Sequence, residues 1–153
     1  MLDSRSASIG FAERTRKNLN YIREAFSAGA DVHVVTQAVN SLLGLVVFPW
    51  EKGIVERFRN IGLEHLNEDG WPQWVITKGR CTTLGELTRY IRNGASHGHL
   101  QFSSDSQTLE DVTIQVSNYP PKSKDPNFVA SIRAQELVLF CEKFSVLVHG
   151  LVS

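Results

Sequence analysis

The stretch from Val32 to Phe48 constrains the fold more than any other part of the chain. Val34, Val35, Ala38, Val39, Leu42, Leu43, Leu45, Val46 and Val47 fall around most of a helical circumference, so a helix here has almost no face to give to water and must lie centrally. Asp31 is a suitable N-cap and Pro49 a suitable stop, which predicts a helix from about Asp31 to Val47. Gln37, Asn40, Ser41 and Gly44 follow a three-to-four residue spacing through it. Buried polar groups need partners, so this stripe either ties neighbouring helices together or lines a pocket.

A central helix requires others around it. Phe11, Thr15, Leu19, Ile22 and Phe26 predict a helix over about Gly10 to Ala28, with Gly29 placed to end it. A short additional helix is expected over Glu51 to Ile61, with Ile54, Val55, Phe58 and Ile61 facing inward. Leu66 to Lys78 reads as irregular, anchored by Trp71 and Trp74 beside Pro72; such a pair either stacks on bases or seals a core edge under a loop. Thr83-Leu84-Gly85-Glu86 is a capping box that opens a third main helix. It runs to His97 on the apolar stripe Leu84, Leu87, Ile91 and Ala95, and Gly98 stops it. Leu100-Gln101-Phe102 and Val112 to Val116 then alternate as strands do, across the polar turn Ser103 to Asp111. After the Pro120-Pro121 loop a last helix is expected over Ile132 to Val148. The expected fold is mainly all-α: a four-helix bundle with a short additional helix and a small β-hairpin between the third and fourth main helices, in one domain spanning 1–153.

Composition narrows the function classes. The chain has 153 residues, 42% of them hydrophobic, enough for one folded domain with its own core. Lys+Arg and Asp+Glu both total 16, so formal charge is zero, whereas a constitutive nucleic-acid binder is usually basic overall. Any contact with RNA therefore runs through a local patch or a transient encounter. Cys81 and Cys141 lack metal-like spacing. Cys141 falls on an apolar helix face as a core filler, and Cys81, beside Arg80 at a helix start, is either somewhat activated or an unreactive thiol. Met1 to Ser8 lacks the apolar stretch of a signal peptide, and the Val32–Phe48 run is too short and too interrupted to span a membrane. A cytoplasmic protein is expected.

The residues best suited to chemistry are Arg92-Asn93-Gly94-Ala95-Ser96-His97. At 100° per residue, Asn93 and His97 share a helix face, while Arg92 lies about 140° from His97. One helix alone does not aim Arg92 and His97 at one point; a second copy related by a two-fold axis would bring an Arg and a His from each chain into one cleft. Gly94 costs about 1 kcal/mol relative to alanine inside a helix, understandable if a backbone or substrate approaches closely there, or if it belongs to a fraying last turn. Histidine titrates near neutral pH and can take a proton from a ribose 2′-hydroxyl or give one to a leaving oxygen. Arginine can hold phosphate as negative charge builds, and Asn93 can orient substrate or imidazole. By spacing alone the alternative is a surface Arg with a helix-terminal His stabilised by the macrodipole. His97-Gly98-His99 has the look of a metal pair, but no carboxylate cluster is adjacent in sequence. His33, His65 and His149 read as surface or cap residues.

Arg92 to His97 resembles the R-x4–6-H motif of the HEPN (higher eukaryotes and prokaryotes nucleotide-binding) superfamily in its Arg-Asn form, late in the third main helix. Val32 through Glu51 resembles the second helix of small stand-alone prokaryotic HEPN proteins, and His97 through Asp105 resembles their continuation into a strand. The likeness covers about Phe11 to Val148. It implies a four-helix HEPN-type bundle, a homodimer with the motif helices facing, and a metal-independent endoribonuclease site shared between chains. Carried over residue by residue, Arg92 and His97 become the catalytic pair and Asn93 the polar accessory, with RNA as substrate and no cofactor or metal. Members often serve as toxins or phage-defence effectors, so the resemblance also implies an antitoxin protein as a partner. Two other readings stay open: a non-catalytic HEPN module that binds nucleotide, RNA or a protein, and a structural partner protein such as one half of a toxin–antitoxin pair.

Overall fold

The computed structural model describes all residues except Leu2, Asp3, Lys52 and Ser153, and gives only the backbone of Ser4, Arg5, Trp50, Glu51 and Val152. Of the Met1–Ser8 stretch, Leu2 and Asp3 thus lie outside the described residues.

Helix α1 spans Ser4–Ser27 and ends as its glycine requires. Gly29 sits at φ 90°, and the N–H groups of Gly29 and Ala30 donate to the carbonyls of Phe26 and Ala25 at 3.0 and 2.9 Å. These two bonds close a Schellman motif. Helix α2, Val34–Glu51, is the central one: Val34, Val35, Ala38, Leu42, Leu45 and Val46 are each no more than 2% exposed. It packs on α1, on α4 (Leu84–Ser96) and on α5 (Ala134–Val152). Two expectations about α2 change. Its start is capped by His33, whose Nδ1 accepts from Thr36 N–H at 3.3 Å, rather than by Asp31. Pro49 lies inside the last turn instead of ending the helix at Val47, and the break comes at Gly53, with φ 70°. The polar stripe satisfies itself. Ser41 Oγ donates to Gln37 O at 2.8 Å, Gln37 Nε2 reaches Ser41 Oγ at 3.5 Å, and Asn40 faces solvent.

Between α2 and α4 the chain forms a short 3-10 turn (Ile54–Arg57), the six-residue helix α3 (Leu63–Glu68) and strand β1 (Val75–Lys78). Trp71 and Trp74 meet Phe140 edge-on, with ring centroids 5.4 and 5.9 Å apart, so both seal a core edge.

The expected mainly all-α bundle with a small hairpin is corrected by the sheet. Strands β2 (Leu100–Phe102) and β3 (Thr113–Asn118) pair antiparallel where the hairpin was expected, but β1 and β4 (Phe128–Arg133) join them. The result is a four-stranded antiparallel sheet of order β1-β4-β3-β2 beside the helices, a mixed α/β architecture. Two physical reasons explain the difference. In β4, Phe128, Ala130 and Ile132 are buried with period two, yet the strand runs straight into α5 with no Gly or Pro between, so a local pattern absorbs its end into the helix. In β1, three of the four residues pair with β4 across a long sequence separation, Val75 opposite Ser131, which no local periodicity reports. Ile114, Val116, Phe128, Ala130 and Ile132 give the sheet its buried side, and α4 packs on β3.

Candidate functional site

Helix α4 is positioned from its first turn. Thr83 Oγ1 accepts from Glu86 N–H at 3.2 Å, and Glu86 Oε2 reaches back to Thr82 N–H at 3.2 Å. This is the capping box, with the return bond displaced by one residue. Backbone bonds stitch the same turn to the preceding segment: Leu84 N–H to Ile61 O at 2.8 Å, and Leu63 N–H to Thr82 O at 2.9 Å. Leu84, Leu87 and Ile91 are buried beneath it, while Ala95 is half-buried.

The far end is a second Schellman motif. Gly98, at φ 73°, donates to Ala95 O at 3.0 Å, and His99 N–H donates to Gly94 O at 2.7 Å. His97 is therefore the C-cap residue, with φ −99° and ψ 8°, and its side chain is exposed. Gly94 is explained by close approach, because a Cβ there would sit 2.6 Å from Val116 Cγ2 and 2.8 Å from the Ser117 carbonyl oxygen. The backbone that approaches is strand β3 of the same chain, and the turn is fixed rather than frayed.

Asn93 and His97 open into one cleft of about 410 Å³, lined also by Arg89, Tyr90, Asn118, Tyr119 and Asn127 and by the two prolines between them. Its one wall is α4. The other is the loop between β3 and β4, closed at its base by Asn127 N–H to Asn118 O at 2.9 Å and by Asn118 Nδ2 to Asn127 Oδ1 at 2.7 Å. Tyr90 stacks on Phe128 with centroids 4.1 Å apart and planes 8° apart, which makes it the floor. Among the described residues no carboxylate lines this cleft, so a polyanion meets none of their negative charges on its walls.

Arg92 is not among the cleft residues. It is half-buried, with Nη1 shielded from solvent, and Ser96 Oγ donates to its carbonyl at 2.7 Å. One chain thus brings Asn93 and His97 together and leaves Arg92 on another side of the helix. Sequence reasoning missed Arg89, Tyr90 and Tyr119. Arg89 carried a usable signal, since Arg89, Asn93 and His97 recur at four-residue intervals on one helical face. Tyr119 had none, because it arrives from the β3–β4 loop.

The rings of His97 and His99 have centroids 6.1 Å apart, and His99 lies against Tyr119 at 4.5 Å. Among the described residues no three His, Cys, Asp or Glu side chains gather as a metal-binding group. Cys81 is not activated at its helix start: burial, and next the nearby Glu86 carboxylate, push its thiol up to about 11. Burial pushes the Cys141 thiol up as well. Among the described residues no helix is long and apolar enough to cross a membrane.

No curated protein and no solved structure matches the chain. The family model described as HEPN pEK499 p136 matches residues 1–151. With almost its whole length covered, the chain belongs to that family and is a HEPN-superfamily domain protein.

Proposed function

We propose that the protein is a metal-independent endoribonuclease of HEPN type, a toxin or defence effector, that works as a homodimer with a shared active site. The observation that carries this is the division on α4: Asn93 and His97 face one cleft, while Arg92 leaves the same helix in another direction. A chain that holds its histidine apart from its arginine needs a second copy to complete the pair. In this reading His97 takes the proton of a ribose 2′-hydroxyl, whose oxygen attacks the adjacent phosphorus. The bond from phosphorus to the 5′-oxygen breaks, and His97 of a second copy protonates that oxygen. Arg92 of the second copy neutralises the charge that builds on the phosphate, and Asn93 orients the ribose. The products are a 2′,3′-cyclic phosphate and a 5′-hydroxyl.

The test is cleavage of RNA in the presence of EDTA, with mapping of the ends. The expected result is cyclic-phosphate ends and loss of at least a hundredfold in rate in both Arg92→Ala and His97→Ala. Mixing these two inactive chains should not restore the parental rate, because the mixed dimer keeps only one of the two histidines that the step uses. Undiminished cleavage by either single variant would remove that residue from the site.

The separation of Arg92 from His97 also favours a second reading, a non-catalytic HEPN module that binds nucleotide, RNA or a protein partner such as an antitoxin. Binding that survives His97→Ala, with no turnover on any RNA, selects it.

A further inference from the structure

Arg89 stands between two clefts and lines both. On one side is the cleft of Asn93, His97 and Tyr119, with no acidic lining residue among the described ones. On the other is a cleft that also contains Glu56 and Glu86, next to Arg59. Arg59 is already occupied by Glu56 at 2.9 Å, just as Arg23 is held by Glu142 and Arg133 by Glu136. Among the described residues no carboxylate pairs with Arg89. Its guanidinium lies 5.3 Å from the centroid of the Tyr90 ring, which rests on Phe128. An aromatic floor of this kind steadies a guanidinium without cancelling its charge.

From these observations we infer that Arg89 and Tyr119 form a substrate subsite for single-stranded RNA within one chain, Arg89 holding a phosphate and Tyr119 a base. The inference rests on the RNA reading of the site. Four features carry it. Arg89 shares a face with Asn93 and His97, so it is an unneutralised cation aligned with the reacting groups along the same helix. Glu56 and Glu86 repel a polyanion from the neighbouring cleft, which makes Arg89 the end of the track rather than its midpoint. Tyr119, on the facing wall, is braced on one edge by His99, with centroids 4.5 Å apart and planes tilted by 58°, and its ring offers a base a surface to stack on. The cleft is also bounded by amide side chains, Asn118 and Asn127, which offer both donors and acceptors to base edges. A neutral chain needs such a local patch to hold RNA at all.

The experiment uses a short single-stranded RNA methylated at every 2′-oxygen, which carries no nucleophile and reports binding alone. Affinity is followed by fluorescence anisotropy across a salt titration. Arg89→Ala should weaken binding several-fold and reduce the slope of log K against log salt by about 0.7, the value for one phosphate contact on a single strand. Arg89→Lys should restore the slope, and Arg89→Gln serves if the alanine variant does not fold. Tyr119→Ala should weaken binding about tenfold with the slope unchanged, and Tyr119→Phe should keep the parental affinity. Arg133→Ala is the control, because it removes the same charge from the far end of the β3–β4 pair, where Arg133 faces Thr113. Parental slope in Arg89→Ala and Arg89→Gln, an equal loss in Arg133→Ala, or no binding of the probe would overturn the subsite. The two readings fail separately. Arg89-dependent binding without cleavage of ordinary RNA removes the nuclease and keeps the subsite, whereas cleavage with Arg89-independent binding does the reverse.

Discussion

The two ends of α4 are built on opposite plans. The first turn is closed: its cap is satisfied, its backbone is stitched to residues 61–63, and Gly85 lies so near Arg59 that an added Cβ would stand 2.7 Å from the Arg59 Cα. The last turns are open on one face, where Asn93 and His97 meet the cleft, and closed only on the other, at Gly94 against β3. Gly85 and Gly94 are nine residues apart, about 180° around the helix, so they pin the rod from opposite sides. The difference teaches that the cleft end is held by fixing the rest of the helix and not by bonds to the Asn93 and His97 side chains. His97 keeps its imidazole available because the Schellman turn, made of backbone, holds its place.

The comparison can be broken most easily at its closed end. Gly85→Val forces a branched side chain against the Arg59 backbone and should cost about 3 kcal/mol in denaturant unfolding, as overpacking does. A variant as stable as the parent would show that the start of α4 has room. Removing a cap at either end should cost less and about equally. Thr83→Ala loses a hydrogen bond to the Glu86 N–H, and Gly98→Ala places a side chain at a φ of 73°. Each should lower stability by about 1 kcal/mol. A much larger loss at Gly98 than at Thr83 would mean that the open end, and not the closed one, holds the helix. The smallest effect belongs to the open face: Asn93→Ala and His97→Ala should leave the melting curve within about 0.5 kcal/mol of the parent. A clear loss of stability there would recast these residues as structural, and any loss of cleavage in them would lose its meaning.

What could be seen in the chain beforehand follows the range of the interactions. The burial of α2 was legible because apolar residues around most of its circumference leave only a narrow face for water. The glycine stop at Gly98 and the Thr83–Glu86 cap were legible because they are settled within a few residues. The sheet was only half legible. The β2–β3 pair is local, whereas β1 meets β4 across more than fifty residues, and the register of Val75 with Ser131 leaves no mark on either segment alone. Pro49 misled for a related reason: in a last turn the missing N–H costs one bond, and the packing of α2 carries the helix past it. At the site, the shared face of Asn93 and His97 and the divergence of Arg92 followed from helical angles. The aromatic side of the cleft did not, because Tyr119 reaches it from a loop whose position depends on β3 and β4 being in the same sheet.

That loop has a consequence for how such a protein can change. The stretch from Tyr119 to Pro126 is gathered at its base by the Asn118–Asn127 pair and adds no residue to the hydrophobic core. It can therefore be lengthened, shortened or exchanged with little effect on the scaffold, while the helix bearing His97 stays where it is. The two walls of the cleft are then inherited on separate parts of the chain: one can drift in length and composition while the other stays fixed by the scaffold.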